Sequence, residues 1–98
     1  MKINLKTVLL DELGDEVKWG DEIVTLGIAV NKTLLVNSDK VSSEQKQKRF
    51  AIWFDKTRNV DEADLASEEI SEIKLAMWQF NGPLIAGQCA LLLEGKEF

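Results

Sequence analysis

Apolar and polar residues alternate along the first part of the chain. Within residues 2–9, Ile3 and Leu5 would lie on one face and the polar residues between them on the other. This period of two is typical of a half-buried strand. Turn-forming residues follow at 11–15, and residues 16–19 provide a possible return strand. The pattern predicts a β-hairpin, which must pack on a helix because two isolated strands are only marginally stable.

Four helices are predicted after the hairpin. Thr25 is the expected N-cap of the first, and Ser42 or Ser43 begins the second, because hydroxyl side chains accept hydrogen bonds from the first free amides of a helix. Ser67 is the expected N-cap of the third helix. The fourth is Pro83–Leu93, since proline is favoured at the first helical position.

The second helix is predicted to be solvated in its first half and buried in its second. Residues 44–49 contain no apolar side chain, whereas Phe50, Trp53 and Phe54 share one face at helical spacing. Ile52 points away from that face. In the third helix, four apolar residues form the expected inward stripe: Ile70, Ile73, Met77 and Phe80.

The last helix is apolar on nearly every side, so it is expected to be the most buried element, with Gly95 as its C-cap. The predicted fold class is α+β: a short N-terminal β-hairpin packed on a mainly helical body of about four helices. A chain of 98 residues suits one domain, residues 1–98.

The beginning of the chain lacks the continuous apolar run of a signal peptide. The longest apolar stretch, residues 83–93, is shorter than the roughly 20 residues of a membrane span. The protein is therefore expected to be cytoplasmic, with no membrane attachment.

Charge is distributed unevenly along this acidic chain, whose 12 basic and 17 acidic residues give a net charge of −5. Residues 40–58 are the exception, because basic side chains outnumber acidic ones there. The simplest interpretation is that this helix neutralises its acidic neighbours. An acidic protein partner or a nucleic acid are the alternatives, but the overall negative charge makes nucleic acid unlikely as a partner.

The residue types that most enzymes use are scarce. Without histidine there is no Ser-His-Asp triad and no histidine-ligated zinc, and the single cysteine, Cys89, rules out thiolate clusters. The glycines are too widely spaced for a phosphate-binding loop. Carboxylates are plentiful, so composition leaves paired-acid catalysis open. The protein is predicted to be non-enzymatic, with no cofactor and no metal.

Two sets of residues are candidates for a binding surface. The first is acidic and could imitate a phosphate backbone in a basic groove of a host enzyme: Asp61, Glu62, Asp64, Glu68, Glu69 and Glu72. The alternative is that these residues are ordinary capping and loop carboxylates. The second set extends the apolar surface of the second and third helices beyond their inward faces: Ile52, Trp53, Leu75 and Trp78. These side chains are either covered by the last helix or form an interface with another protein or a second copy.

Four segments carry a resemblance to a known class of proteins. They are residues 23–27, which open the first helix, residues 65–70, residues 82–88 and residues 91–95. In this order, after a strand-turn-strand, they look like small proteins encoded by tailed bacteriophages and prophages. Phage tail assembly chaperones also begin with a strand-turn-strand before a helical body.

The resemblance implies a phage or prophage accessory protein that binds a host or phage protein. One version is an inhibitor or modulator of a host protein, which would use the acidic or aromatic surface. The other is a tail assembly chaperone, which would hold tail proteins through apolar contacts. Ionic strength distinguishes the two, because salt screens only the electrostatic contacts.

Overall fold

The computed structural model describes residues 1–96. The strands are β1 (Lys2–Asn4), β2 (Lys18–Trp19), β3 (Glu22–Ile23) and β4 (Glu62–Asp64). The helices are α1 (Leu26–Leu34), α2 (Ser43–Ile52), α3 (Ser67–Phe80) and α4 (Pro83–Leu93), and a π-helical turn, Trp53–Thr57, continues α2. The predicted α+β class, with a short N-terminal antiparallel sheet and four helices, is confirmed. Within the described residues, none of the helices is both long and apolar enough to cross a membrane.

The N-terminal strand pairs with a distant segment of the chain. β1 is antiparallel to β4, with Ile3 opposite Ala63, so residues 16–19 are not the partner of its first residues. The turn expected at 11–15 does form, and it is closed by the Val17 amide, which donates to the Leu9 carbonyl at 3.0 Å. The predicted hairpin therefore forms only between the later residues of the expected first strand, Leu9 and Leu10, and residues 16–17.

After β1, the chain runs past the start of α1, where its carbonyl groups accept hydrogen bonds from the first amides of that helix. The amides of Leu26 and Gly27 donate to the carbonyls of Thr7 and Leu5 at 2.8 and 2.9 Å, which satisfies two of the free N–H groups at a helix N-terminus. A Cβ on Gly27 would lie 3.1 Å from the Leu5 carbonyl oxygen. This close approach explains a glycine in a helix that has little intrinsic propensity to form.

Local capping chemistry sets most helix ends where the sequence predicts them. The Thr25 side chain accepts from the Ile28 amide, and Ser42 forms a capping box with Gln45. Ser67 is one residue too late: Ala66 is the N-cap, and its amide donates to Glu69 Oε1 at 2.9 Å. At the end of α4, two amides bond back to the carbonyls of Leu91 and Leu92, with Gly95 at φ +81°, the C-terminal motif that glycine favours.

The core is centred on α1, which contacts every other helix. Leu26, Ala29 and Val30 are fully buried, together with Ile73 and Met77 of the predicted stripe on α3. The expectation that α4 is the most buried element is wrong, because Leu84 and Leu91 are exposed on it. Its buried face consists of Ala86, Cys89, Ala90 and Leu93.

A buried arginine joins α2 to α3. Arg49 is only 1 % exposed, so the prediction that residues 44–49 are solvated is wrong at this position. Its Nε donates to Glu72 Oε2 at 2.9 Å, and its Nη2 donates to Gln79 Oε1 at 2.7 Å. Within residues 1–96, its buried Nη1 has no hydrogen-bond partner. The side chain is therefore held by a carboxylate and an amide from the facing helix.

The inward face of α2 differs from the predicted one. Arg49 and Ile52 are buried, whereas Phe50 is 51 % exposed and Phe54 is 46 % exposed. Ile52, predicted to point away from the face of Phe50, Trp53 and Phe54, does so, and it turns into the core. The physical reason is the ion pair with Glu72, because turning Arg49 inward also turns inward the residue three positions later.

We expect the Glu72→Ala substitution to lower the free energy of unfolding by roughly 3 kcal/mol, because it leaves the Arg49 guanidinium buried without its carboxylate. Chemical denaturation followed by far-UV circular dichroism measures the change. Glu68→Ala on the same helix is the matched control, and it should leave stability nearly unchanged because Glu68 is exposed. Equal effects of the two substitutions would contradict this account of the pair.

Candidate functional site

A groove runs between α2 and the N-terminal half of α3. It consists of two adjoining cavities of about 220 and 390 Å³. Both are lined by Lys48, Glu68 and Glu72; the first also by Ala51, Ile52, Asp55 and Glu69, and the second by Ser67, Ser71 and Leu75. We call this set of residues the acidic groove. It contains five of the ten residues predicted for binding: Ile52, Glu68, Glu69, Glu72 and Leu75.

Helix packing sets the floor and walls of the acidic groove. Ile52 is buried at its floor, while Ala51 is exposed. Leu75 is 45 % exposed, and it projects outside the stripe of α3 that faces the core. The contact of Arg49 with Glu72 lies between the two helices and holds their separation. A segment entering the groove would therefore meet apolar side chains below and polar ones at the rim.

The rim of the acidic groove carries more negative than positive charge. Glu72 is neutralised by Arg49, and the Glu69 carboxylate lies 3.8 Å from Lys56 Nζ. Asp55 and Glu68 are exposed and form no ion pair within residues 1–96. Lys48 is the single basic side chain among the groove's lining residues. The groove therefore favours a positively charged occupant.

The acidic residues of β4 lie outside the groove. Asp61 pairs with Lys6 at 3.2 Å, and Asp64 Oδ1 accepts from the amino group of Met1 at 3.0 Å. That hydrogen bond and the positive charge of the amino group hold the pKa of the Asp64 carboxyl below its usual value. Glu62 is exposed between them. The predicted acidic set is therefore divided, and its first members take part in closing the sheet.

The predicted apolar set is divided as well. Trp78 is 51 % exposed and lies against Gly87 of α4, where a Cβ would be 3.9 Å from the indole ring. Leu84 and Leu91 on α4 are exposed too. We call these residues the α3–α4 surface. Trp53 belongs to a different part of the molecule and is half-buried.

Trp53 is part of an aromatic surface made of the residues predicted to share one face of α2, but Phe50 and Phe54 are exposed there instead of buried. Its ring centroid lies 5.6 Å from that of Phe50, and the rings of Phe50 and Phe54 stack at 5.8 Å. The Arg58 guanidinium lies 3.9 Å from the Phe54 centroid. We call these four residues the aromatic surface. In the sequence, Arg49 lies three residues before Ile52, so the two share one side of the helix. If that side faces inward, Phe50 and Phe54 must face outward, and this spacing was the signal available in the sequence.

Two observations concern the reactive groups of the described residues: the state of the Cys89 thiol and the spacing of possible metal ligands. Burial raises the pKa of the Cys89 thiol to about 12, so the thiol is protonated at physiological pH and a poor nucleophile. Among residues 1–96, no three His, Cys, Asp or Glu side chains are grouped so that they could hold a metal ion.

No protein-family model, curated protein or solved structure matches this chain.

Cys89 should react slowly with thiol reagents in the folded protein. At neutral pH, its raised pKa lowers the thiolate fraction by about a thousandfold relative to an ordinary cysteine, and burial further hinders access. Release of the coloured thiolate from an aromatic disulfide reagent measures the rate. The same protein unfolded in guanidinium is the control and should react fully. Rapid reaction of the folded protein would show that α4 opens readily.

Proposed function

We propose that the protein is a non-enzymatic accessory protein whose acidic groove binds a basic, amphipathic segment of a protein partner. The observation that supports the proposal most directly is the combination of an apolar floor, Ile52 and Leu75, with the exposed carboxylates of Asp55 and Glu68. Amphipathic helices commonly bind in this way, with their apolar face in a groove and their charged face at its rim.

The apolar floor and the charged rim have different roles in this proposal. Contact with the exposed apolar surface of Ala51 and Leu75 supplies most of the affinity, at about 25 cal/mol per Å² of apolar surface buried, because Ile52 is already buried in the free protein. The rim carboxylates are exposed, so each contributes little binding energy and acts mainly on the association rate and on partner choice. The net charge of −5 reinforces the attraction of a basic partner.

The resemblance to phage-encoded proteins suggests what the partner is. In this proposal, the protein acts in the cytoplasm of a bacterial host and inhibits or modulates a host protein by occupying one of its basic surfaces. Basic amphipathic segments are common on proteins that bind nucleic acid, because they contact phosphates. An acidic groove would compete with those phosphates.

A tail assembly chaperone is the second candidate function. The α3–α4 surface supports it, because Trp78, Leu84 and Leu91 are all exposed there. Such a surface can bind apolar segments of an unassembled protein. This contact would depend little on salt, in contrast to binding in the acidic groove.

The groove proposal is tested with a synthetic basic amphipathic helical peptide carrying a fluorophore. We expect Glu68→Lys to weaken its binding roughly tenfold, about 1.4 kcal/mol, because the substitution replaces an attraction at the rim by a repulsion. Fluorescence anisotropy at several salt concentrations measures the affinity.

Glu62→Lys is the matched control for this charge change. It reverses an exposed carboxylate on β4, outside the groove, so it should affect binding much less. A peptide of the same apolar pattern with acidic residues should bind poorly. Equal loss of binding in both variants would contradict the groove proposal and indicate an effect of net charge alone.

The two candidate functions are separated by capturing partners from a bacterial host lysate on the immobilised protein. A partner that salt releases, and that Glu68→Lys no longer captures, is expected if the acidic groove is the binding site. A salt-resistant partner that is lost in Trp78→Ala, but kept in Glu68→Lys, would instead support the chaperone function. Trp78 is exposed, so its replacement should leave the fold intact.

A further inference from the structure

We infer that the acidic groove also receives the aromatic surface of a second copy of this chain, so that the protein associates head to tail. This inference rests on the proposal that the groove is a binding surface. It goes further because it identifies one occupant from the same molecule.

The aromatic surface is exposed along α2, and we call its rings together with Arg58 the ridge. Phe50 and Phe54 are about half exposed and stack on each other with centroids 5.8 Å apart. A cleft of about 160 Å³ beside Phe50 extends the apolar area to Leu34, Leu35 and Val36. About half of each of the Phe50 and Phe54 side chains is therefore open to solvent within the described residues. The ridge would fill a groove that has an apolar floor.

The charges beside the ridge are positive. Arg58 lies 3.9 Å from the Phe54 ring centroid and 5.6 Å from that of Trp53, and Lys46 lines the neighbouring cleft. Neither side chain has a carboxylate within 4.0 Å in residues 1–96. The chain as a whole is acidic, yet these two cations beside exposed aromatic rings form no ion pair within the described residues. An acidic surface on a partner would supply carboxylates for them.

The acidic groove offers that surface. Its floor contains Ile52 and Leu75, and Asp55 and Glu68 at its rim are themselves unpaired within the described chain. The two surfaces are therefore complementary in charge and both partly apolar: exposed aromatic rings with cations on one side, and an apolar groove with carboxylates on the other.

The two surfaces border opposite sides of the inward face of α2, and Phe54 of the ridge is followed directly in the chain by Asp55 of the groove. At 100° per residue, Phe50 and Trp53 flank one side of the inward face formed by Arg49 and Ile52, and Ala51 flanks the other. A molecule that uses its ridge toward one neighbour keeps its groove free for the next. Such contacts are heterologous, and they extend a chain of subunits unless the rotation between neighbours closes a ring.

Two double variants test the inference. Glu68→Lys with Leu75→Ser disables the groove, and Phe54→Ser with Arg58→Glu disables the ridge. All four side chains are exposed, and circular dichroism with thermal unfolding checks that both variants fold. Sedimentation velocity over a range of concentrations measures the mass of each protein alone and of the equimolar mixture.

We expect the wild-type mass to rise with concentration beyond that of a dimer, and to fall when salt is added. Each variant alone should remain a monomer. The mixture should form a heterodimer and nothing larger, because each variant supplies one intact surface. A wild-type protein that stays monomeric, a variant that still self-associates, or a mixture that remains monomeric would each overturn the inference.

Binding of the basic amphipathic peptide to the ridge variant separates failure of this inference from failure of the proposed function. Peptide binding without self-association removes only the inference. Heterodimers that form while the peptide does not bind support the inference and remove the basic segment as the partner class. Single-stranded DNA that binds the wild type, but not the ridge variant, in the absence of self-association would assign the ridge to nucleic acid instead and overturn the inference.

Discussion

The ion pair between Arg49 and Glu72 determines how the second half of the molecule is arranged. A guanidinium that is nearly excluded from solvent requires a carboxylate at a short distance, and within residues 1–96 the only carboxylate that pairs with Arg49 is Glu72 of α3. Meeting this requirement selects the face of α2 that turns inward. It places Ile52 in the core, leaves Phe50 and Phe54 exposed, and sets the spacing of α2 and α3 that forms the acidic groove.

One helix thus borders two surfaces of opposite charge. The acidic groove uses Lys48, Ala51 and Asp55 of α2 and its π-helical extension, whereas the aromatic surface uses Phe50 and its neighbours. The net charge of +4 over residues 40–58 conceals this division, because composition does not report which side of a helix a charge occupies. The binding proposals follow from the placement of the charges.

Features that depend on neighbouring residues could be predicted, and those that depend on distant contacts could not. Thr25 and Ser42 mark helix starts through hydrogen bonds made within one turn, and Pro83 does so through its fixed backbone angle φ, so all three are readable from the sequence. The partner of β1 and the inward turn of Arg49 require knowledge of β4 and α3. For the same reason, Glu68, Glu72 and Leu75 were recognised as candidates, but their meeting with Ile52 in one groove was not foreseen.

The pairing of β1 with β4 has a consequence for the order of folding. The amino group of Met1 contacts the Leu65 carbonyl across 64 positions of sequence, so this contact closes a very long loop and carries a large entropy cost. The α3–α4 contact joins elements separated by a tight turn and costs far less. Folding is therefore expected to nucleate in the C-terminal helices, and β1 is expected to be among the last elements to reach its final place.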